Sequence, residues 1–301
     1  MRWWQWLLVA LLVLVGGGAG YAYWIVQSLY AEPVTDDLWV IYGLGGNVGV
    51  LNTEAGAVIV DTMTLEIQGD RIRKRARELT GKPVVMIINT HYHLDHTHGN
   101  PSFDPGTRII STDRTLEHLK NMDAEFFSGE AARFLPNETF EEEQTISIGG
   151  KTMKLVHPGR GHTDGDLVVQ FVEDNALHAG DLFFHGHYPN IDLEAGGSVM
   201  QWDETLDAVF ELSFDKVIPG HGPQTDREAF RQFQAFMHQL GEIGETAAAE
   251  GWSLEQMVKT DRLDEDRGYE PIRMIVSIGL DREFVLTRAW EEATGKAVPA
   301  E

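Results

Sequence analysis

Asn89-Thr90-His91-Tyr92-His93-Leu94-Asp95-His96 decides how the rest of the chain is read. Just before it, Val84-Val85-Met86-Ile87-Ile88 is an unbroken, β-branched apolar run behind a Gly81-Lys82-Pro83 turn. Such a run reads as a buried strand. The strand therefore ends where imidazoles and a carboxylate crowd together, the ligands preferred by zinc and similar divalent ions. On extended backbone, side chains alternate, so His91 and His93 point the same way. A turn immediately afterwards brings Asp95 and His96 towards the same pocket. That is more donors than one tetrahedral zinc needs, which points to two metal ions.

Composition narrows the chemistry. The 301-residue chain has no cysteine, so disulfides and thiolate ligands are excluded and any metal is held by His, Asp and Glu. A formal net charge of -23 argues against nucleic-acid binding, which needs a basic face, and against electrostatic docking on anionic lipid. Trp3 to Val26 contain no charged side chain and one strongly polar residue, Gln5. About 20 apolar residues suffice to span a bilayer as a helix. Trp3, Trp4 and Trp6 at one end and Tyr21, Tyr23 and Trp24 at the other match an aromatic belt. We expect an uncleaved transmembrane anchor with the remaining chain in the periplasm or outside the cell. The competing expectation is a signal peptide cut near Gly20-Tyr21-Ala22, giving a secreted protein.

Beyond the anchor, Leu38 to Tyr42 and Ala57 to Asp61 read as strands around a glycine-rich turn region, Gly43 to Val50. No Gly-Lys-Ser/Thr comes after it, so this is not a phosphate loop. Asp61 either caps the next segment of chain or supports the metal pocket. Leu65 to Leu79 reads as a helix, Arg108 to Ser111 as a strand, and Thr112-Asp113 as the cap of a helix through Met122. The acidic run Glu138 to Glu143 suggests an exposed loop. Thr145 to Ile148, Thr152 to Val156, Asp166 to Val172 and Ala176 to Ala179 come next, at the short spacing of an antiparallel sheet. Trp202 to Leu212 is helical in pattern, Lys216 to Ile218 a strand, and Asp226 onward an amphipathic helix. Residues 245–301 are helical in tone and carry no obvious chemistry.

Three later strand-like runs each end in a turn holding an isolated donor: His162 in Gly159-Arg160-Gly161-His162-Thr163, Asp181 after Gly180, and His221 in Pro219-Gly220-His221-Gly222-Pro223. Glycine beside a donor lets backbone pass close to a metal or substrate. With the first cluster, these donors sit at successive strand ends, where a rigid scaffold holds site residues.

His91-x-His93-x-Asp95-His96, then His162, Asp181 and His221, resembles the metallo-β-lactamase superfamily over about Leu38 to Leu240. The resemblance implies an α+β fold, a four-layer αββα sandwich with metals at one edge of the two sheets. It implies that His91, His93 and His162 hold one zinc, that Asp95, His96 and His221 hold the other, and that Asp181 bridges them. The family's β-lactamases usually carry Cys or Ser at the position of Asp181, whereas a bridging Asp is typical of the glyoxalase II and lactonase branches. Iron or manganese suits the same donors. The domain plan is an anchor and linker over 1–35, a catalytic domain over 36–240 and a helical C-terminal extension over 241–301. His185, His187 and Tyr188, shortly after Asp181, are candidates for a small-molecule substrate pocket, and His98 for orienting a ligand.

Two divalent ions a few Å apart bring a shared water's pKa near neutrality. The expected activity is therefore hydrolysis of an ester, thioester, lactone or lactam bond, with Asp95 both holding a metal and moving the proton. No Ser-His-Asp constellation with a nucleophile elbow supports covalent catalysis. The rival classes are an iron-dependent sulfur dioxygenase-like oxidoreductase on the same fold and a metal-binding module without activity.

Overall fold

The computed structural model describes residues 20, 28–260, 262–272 and 279–296. The expected anchor, Trp3 to Val26, lies outside the described residues apart from Gly20. Among the described residues no helix is long and apolar enough to cross a membrane.

One sheet runs in chain order through β1 (Tyr30–Pro33), β2 (Leu38–Tyr42), β3 (Val48–Thr53), β4 (Gly56–Val60), β5 (Val84–Ile88), β6 (Arg108–Thr112) and β7 (Glu138–Phe140). The other contains β8 (Glu143–Ile148), β9 (Lys151–Val156), β10 (Val168–Phe171), β11 (Ala176–Phe184), β12 (Lys216–His221) and β13 (Thr225–Asp226), again neighbours in chain order. Helices α1 (Glu66–Thr80), α2 (Leu94–Thr97) and α3 (Asp113–Asn121) accompany the first sheet. The second is accompanied by α4 (Val199–Phe210), α5 (Arg227–Glu250), α6 (Leu254–Thr260) and α7 (Arg282–Thr294).

Strand alternation builds the layers. Val58 and Val60 of β4, and Met86 and Ile88 of β5, share one core with Met153 and Leu155 of β9 and Ile218 of β12. That core lies between the sheets. The intervening residues Ala57, Ile59 and Ile87 pack outward with Ile72 and Ala76 of α1. On the other side, Leu177 and Ala179 of β11 and Val217 of β12 face Trp202, Phe230, Phe233 and Val285. A period of two in each strand thus gives helix, sheet, sheet, helix. α5 runs without a break across residue 240, and α7 packs in the same core cluster.

Three expectations need correction. The glycine-rich region gives way to strand at Val48, because Val48, Val50 and Leu51 bury their side chains. The acidic run Glu138 to Glu143 supplies β7 and the start of β8 rather than a loop. Phe140 is buried there, and Glu138 pairs with Arg108 on β6 at 2.8 Å. Thirdly, neither Gly180-Asp181 nor Pro219-Gly220-His221 is a turn, for β12 runs on as strand to His221 beside β11. β11 continues to Phe184 through an irregularity between His178 and Gly180, with Gly180 at φ 52°, and this re-aims Asp181 within a strand.

β4, β5, β6 and β7 are parallel neighbours, as are β11 and β12. Their carboxyl ends gather at one edge of the sandwich, and α1 is held there by a close glycine contact. A Cβ on Gly69 would stand 2.3 Å from the carbonyl oxygen of Gly99. Gly69→Ala tests which effect wins: alanine favours the helix by about 1 kcal/mol, while overpacking costs about 1–3 kcal/mol. We expect net destabilisation, seen as a lower urea midpoint with an unchanged slope.

Candidate metal centre

β4 is followed at once by Asp61, whose φ of 66° turns the chain out of the sheet. Its buried carboxylate accepts the Thr90 amide and hydroxyl, both at 2.8 Å, and lies 2.8 Å from Nδ1 of His96. The loop after β5 is thereby fixed to the end of β4. On that loop His91 is buried, with Nδ1 3.0 Å from the Thr90 hydroxyl. His93 turns its Nε2 to Asp192 at 2.9 Å, leaving Nδ1 2.7 Å from Nε2 of His162. His162 is held by its own Nδ1, 2.8 Å from the carbonyl oxygen of Asn190. Each ring is thus oriented by the nitrogen that faces away from the centre.

Three overlapping groups result, each with donor atoms within 4.8 Å of one another: His91, His93 and His162; His91, His96 and Asp181; and Asp95, His96 and His221. Asp181 stands among them. Its Oδ2 is 3.6 Å from His162 Nε2, 3.9 Å from His91 Nε2 and 3.4 Å from His221 Nε2, and its Oδ1 is 3.2 Å from His96 Nε2. Asp95 reaches His221 Nε2 at 3.3 Å and His96 Nε2 at 3.7 Å. The structure therefore brings together all seven residues picked out from the sequence.

Nε2 of His91, Nε2 of His96 and Oδ1 of Asp181 are buried without a hydrogen-bond partner. Buried polar atoms normally have one. His96 Nε2 and Asp181 Oδ1 approach closely yet lack hydrogen-bond geometry, as donors aimed at a shared point do. An all-nitrogen-and-oxygen set of this kind fits a borderline divalent cation.

Charge explains the proton positions. Burial pushes the His91 imidazole well below its ordinary value, and it takes the His162 ring down to about 4, with His93 adding to the effect. Burial also lowers His96 and His221, but the carboxylates of Asp181 and Asp95 outweigh it. His96 is held well above its usual range and His221 is raised to about 9. Asp181 and Asp95 resist burial through the same partners and stay well ionised.

A family model described as the metallo-beta-lactamase superfamily matches residues 41–221, which contain all of these donors. The chain belongs to this superfamily. Two curated relatives set the scale of resemblance. The 2,4-dinitroanisole O-demethylase subunit alpha of a Nocardioides species is 27% identical over 207 residues, 67% of this chain and 60% of the relative. The type 2 metallo-beta-lactamase of Bacillus cereus is 26% identical over 215 residues, 66% of this chain and 79% of that enzyme. The chain thus spans 60% of the demethylase subunit's length. Among solved structures, the metallo-beta-lactamase from Pontibacter korlensis superposes with a TM-score of 0.61 at 21% identity, covering 70% of this chain and 99% of that one. At that identity the likeness speaks for the fold alone.

The three pocket candidates separate. His187 lines the cleft above the centre. His185 and Tyr188 do not: His185 lies 2.8 Å from the Pro223 carbonyl oxygen, and the buried Tyr188 donates to Asp266 at 2.7 Å. His98 touches no donor; it stacks on Phe126 with centroids 3.5 Å apart and pairs with Asp123. Asp192, which also accepts from Tyr92 at 2.5 Å, went unnoticed in the sequence. Its only signal there is an isolated carboxylate in a loop, which any surface supplies.

This geometry allows two tests. His221 carries a proton below about pH 9 and must lose it to donate a lone pair. Zinc binding at pH 7 should therefore release protons, and apparent affinity should fall as pH drops from 9. Titration calorimetry in buffers of different ionisation enthalpy reads the proton count; none released overturns the assignment. In Gly220→Ala, a Cβ would lie 1.9 Å from Asp181 Oδ1. That variant should bind less metal than the parent while its far-ultraviolet circular dichroism is unchanged.

Proposed function

We propose that the protein is a membrane-anchored hydrolase that uses two zinc ions to cleave an ester, thioester, lactone or lactam bond. The observation carrying this reading is the Asp181 carboxylate, set within 3.9 Å of four imidazole nitrogens from both sides of the cluster. His91, His93 and His162 would hold one ion, Asp95, His96 and His221 the other, and Asp181 would be shared. Divalent ions held there supply Lewis acidity towards a substrate oxygen and ionise water near neutral pH.

The chain's own groups do the rest. Asp192 and Asp61 fix the rings of His93 and His96, and Phe184 stacks on His221 with centroids 5.2 Å apart. Asp95 lines the cleft and keeps its carboxylate ionised at neutral pH. As an acceptor facing the cleft, it would orient the attacking water and relay its proton to the leaving atom. An aspartate at 181, where the lactamases usually carry Cys or Ser, favours esters, thioesters and lactones over lactams. Residues 3–26 would anchor the chain.

Metal analysis of purified protein should give close to two divalent ions per chain. Zinc should support hydrolysis without oxygen, and Asp95→Asn should lower turnover by about 10²–10⁴-fold. Turnover only with iron and with oxygen uptake would make the protein an oxidoreductase instead. Full-length protein should sediment with membranes, whereas an intact mass beginning near residue 22 would show a cleaved signal.

A further inference from the structure

The cleft over the metal centre has a volume of about 860 Å³, towards the upper end for sites that enclose a drug-sized ligand. Its walls are mostly apolar. Tyr30 stacks on Tyr42 with centroids 4.8 Å apart, and Leu44, Leu94, Ile272 and Leu280 add to the apolar part of the lining. Tyr30 is 58% exposed and Leu94 49% exposed, so large apolar surfaces are left in water at this opening. Leaving such area wet is unfavourable and marks a place that a ligand covers.

Charge points the same way. Among the described residues lining the cleft there is no lysine or arginine, and its charged groups, Asp95, Asp181 and His221, lie at the floor among the metal donors. A carboxylate at the far end of a substrate's tail, against the walls and away from that floor, would be desolvated without a lysine or arginine among the described lining residues.

Six of the described lining residues fall outside the matched stretch 41–221: Ser28 and Tyr30 before it, Gly222 and Pro223 directly after it, and Ile272 and Leu280 beyond α6. Those after α6 are built into the molecule. The Glu270 amide donates to the Gly186 carbonyl at 3.0 Å, and the Tyr188 amide donates to the Glu270 carbonyl at 3.3 Å. Asp266 accepts from Tyr188 and pairs with Arg282 at the start of α7. Arg282 also donates to the Leu263 carbonyl at 2.7 Å. Residues 263–270 and the start of α7 are thereby tied to the chain just after the strand that carries Asp181.

We infer that this cleft selects substrates with an uncharged, apolar chain or ring, and that Ile272 and Leu280 of the C-terminal region form the wall that recognises it. The inference rests on the hydrolase reading for the bond cleaved, and on the cleft itself for the group recognised.

The test uses full-length, zinc-loaded protein and two readouts. In the first, kcat/KM is measured for aryl esters from acetate to octanoate and for octanoate analogues ending in a carboxylate. Each added methylene should raise kcat/KM by about two- to fourfold, and the terminal carboxylate should lower it at least tenfold. Ile272→Glu and Leu280→Glu should flatten the dependence on length, and Ile272→Ala, a milder change, should reduce it. The second readout is calorimetric binding of 1-butanol, 1-hexanol and 1-octanol, which requires no turnover. Affinity should rise along the series in the parent and rise less in both glutamate variants. Ester cleavage that favours the carboxylated chain, or alcohol affinity that is independent of length or unaltered by the variants, overturns the inference. Length-dependent alcohol binding without cleavage of these esters, or of the matching thioesters, lactones and lactams, would sink the hydrolase reading and leave the recognition of apolar groups standing.

Discussion

The hydrogen bonds of one buried carboxylate underlie the whole centre. Asp61 reaches the Thr90 amide, the Thr90 hydroxyl and the His96 ring with its two oxygens. A carboxylate away from water must satisfy its lone pairs within the protein. Here that requirement ties the end of β4 to the loop after β5. It also fixes which nitrogen of His96 faces the cluster. With Nδ1 engaged by Asp61, Nε2 is left towards Asp181, where it finds no hydrogen bond. The same logic recurs at His93 through Asp192 and at His162 through the Asn190 carbonyl. Three imidazoles, two from the segment after β5 and one from the loop after β9, are thus set by their outward nitrogens.

Packing this many donors together is unfavourable without a cation. Two carboxylates and several imidazoles are buried within a few Å, and protons on His96 and His221 offset part of the repulsion. Close backbone approach makes the crowding geometrically feasible. A Cβ on Gly46 would sit 2.1 Å from the His96 ring, and one on Gly220 only 1.9 Å from Asp181. Glycines that read as turn formers in the sequence therefore have a second job, leaving room for donor side chains. That role depends on contacts from distant segments, so local sequence could not reveal it.

The donors themselves were legible for a local reason. His91, His93, Asp95 and His96 fall within six residues after an apolar run, and strand periodicity alone predicts a shared direction. His162, Asp181 and His221 stood out because each comes after a strand-like run. The edges of the sheets were harder to see. β7 and the start of β8 carry several glutamates, which suggest solvent, yet cross-strand pairs with Arg108 and Lys154 hold them in register. The bulge at Gly180 hid the true length of β11, since a glycine after an apolar run reads equally well as a turn. Asp192 and the cleft walls lay beyond reach because their meaning comes from partners about a hundred or more positions away, such as Tyr92.

The helices after the matched stretch are coupled to the centre as well as to the cleft. Glu292 of α7 accepts the Val199 amide at 2.6 Å and the Met200 amide at 3.3 Å, at the start of α4. An acidic side chain there satisfies amides that the helix itself leaves unpaired and complements its dipole. It also receives the hydroxyl of Ser198, whose amide donates to the Gly161 carbonyl at 2.8 Å. Gly161 immediately precedes His162, and the His162 carbonyl accepts the Asp192 amide at 3.1 Å. One loop therefore joins a metal-facing ring, the carboxylate that orients His93 and the C-terminal helix. Holding that helix in place fixes Leu280, next to its start, relative to the donors, so the cleft wall and the candidate centre share one hydrogen-bonded framework.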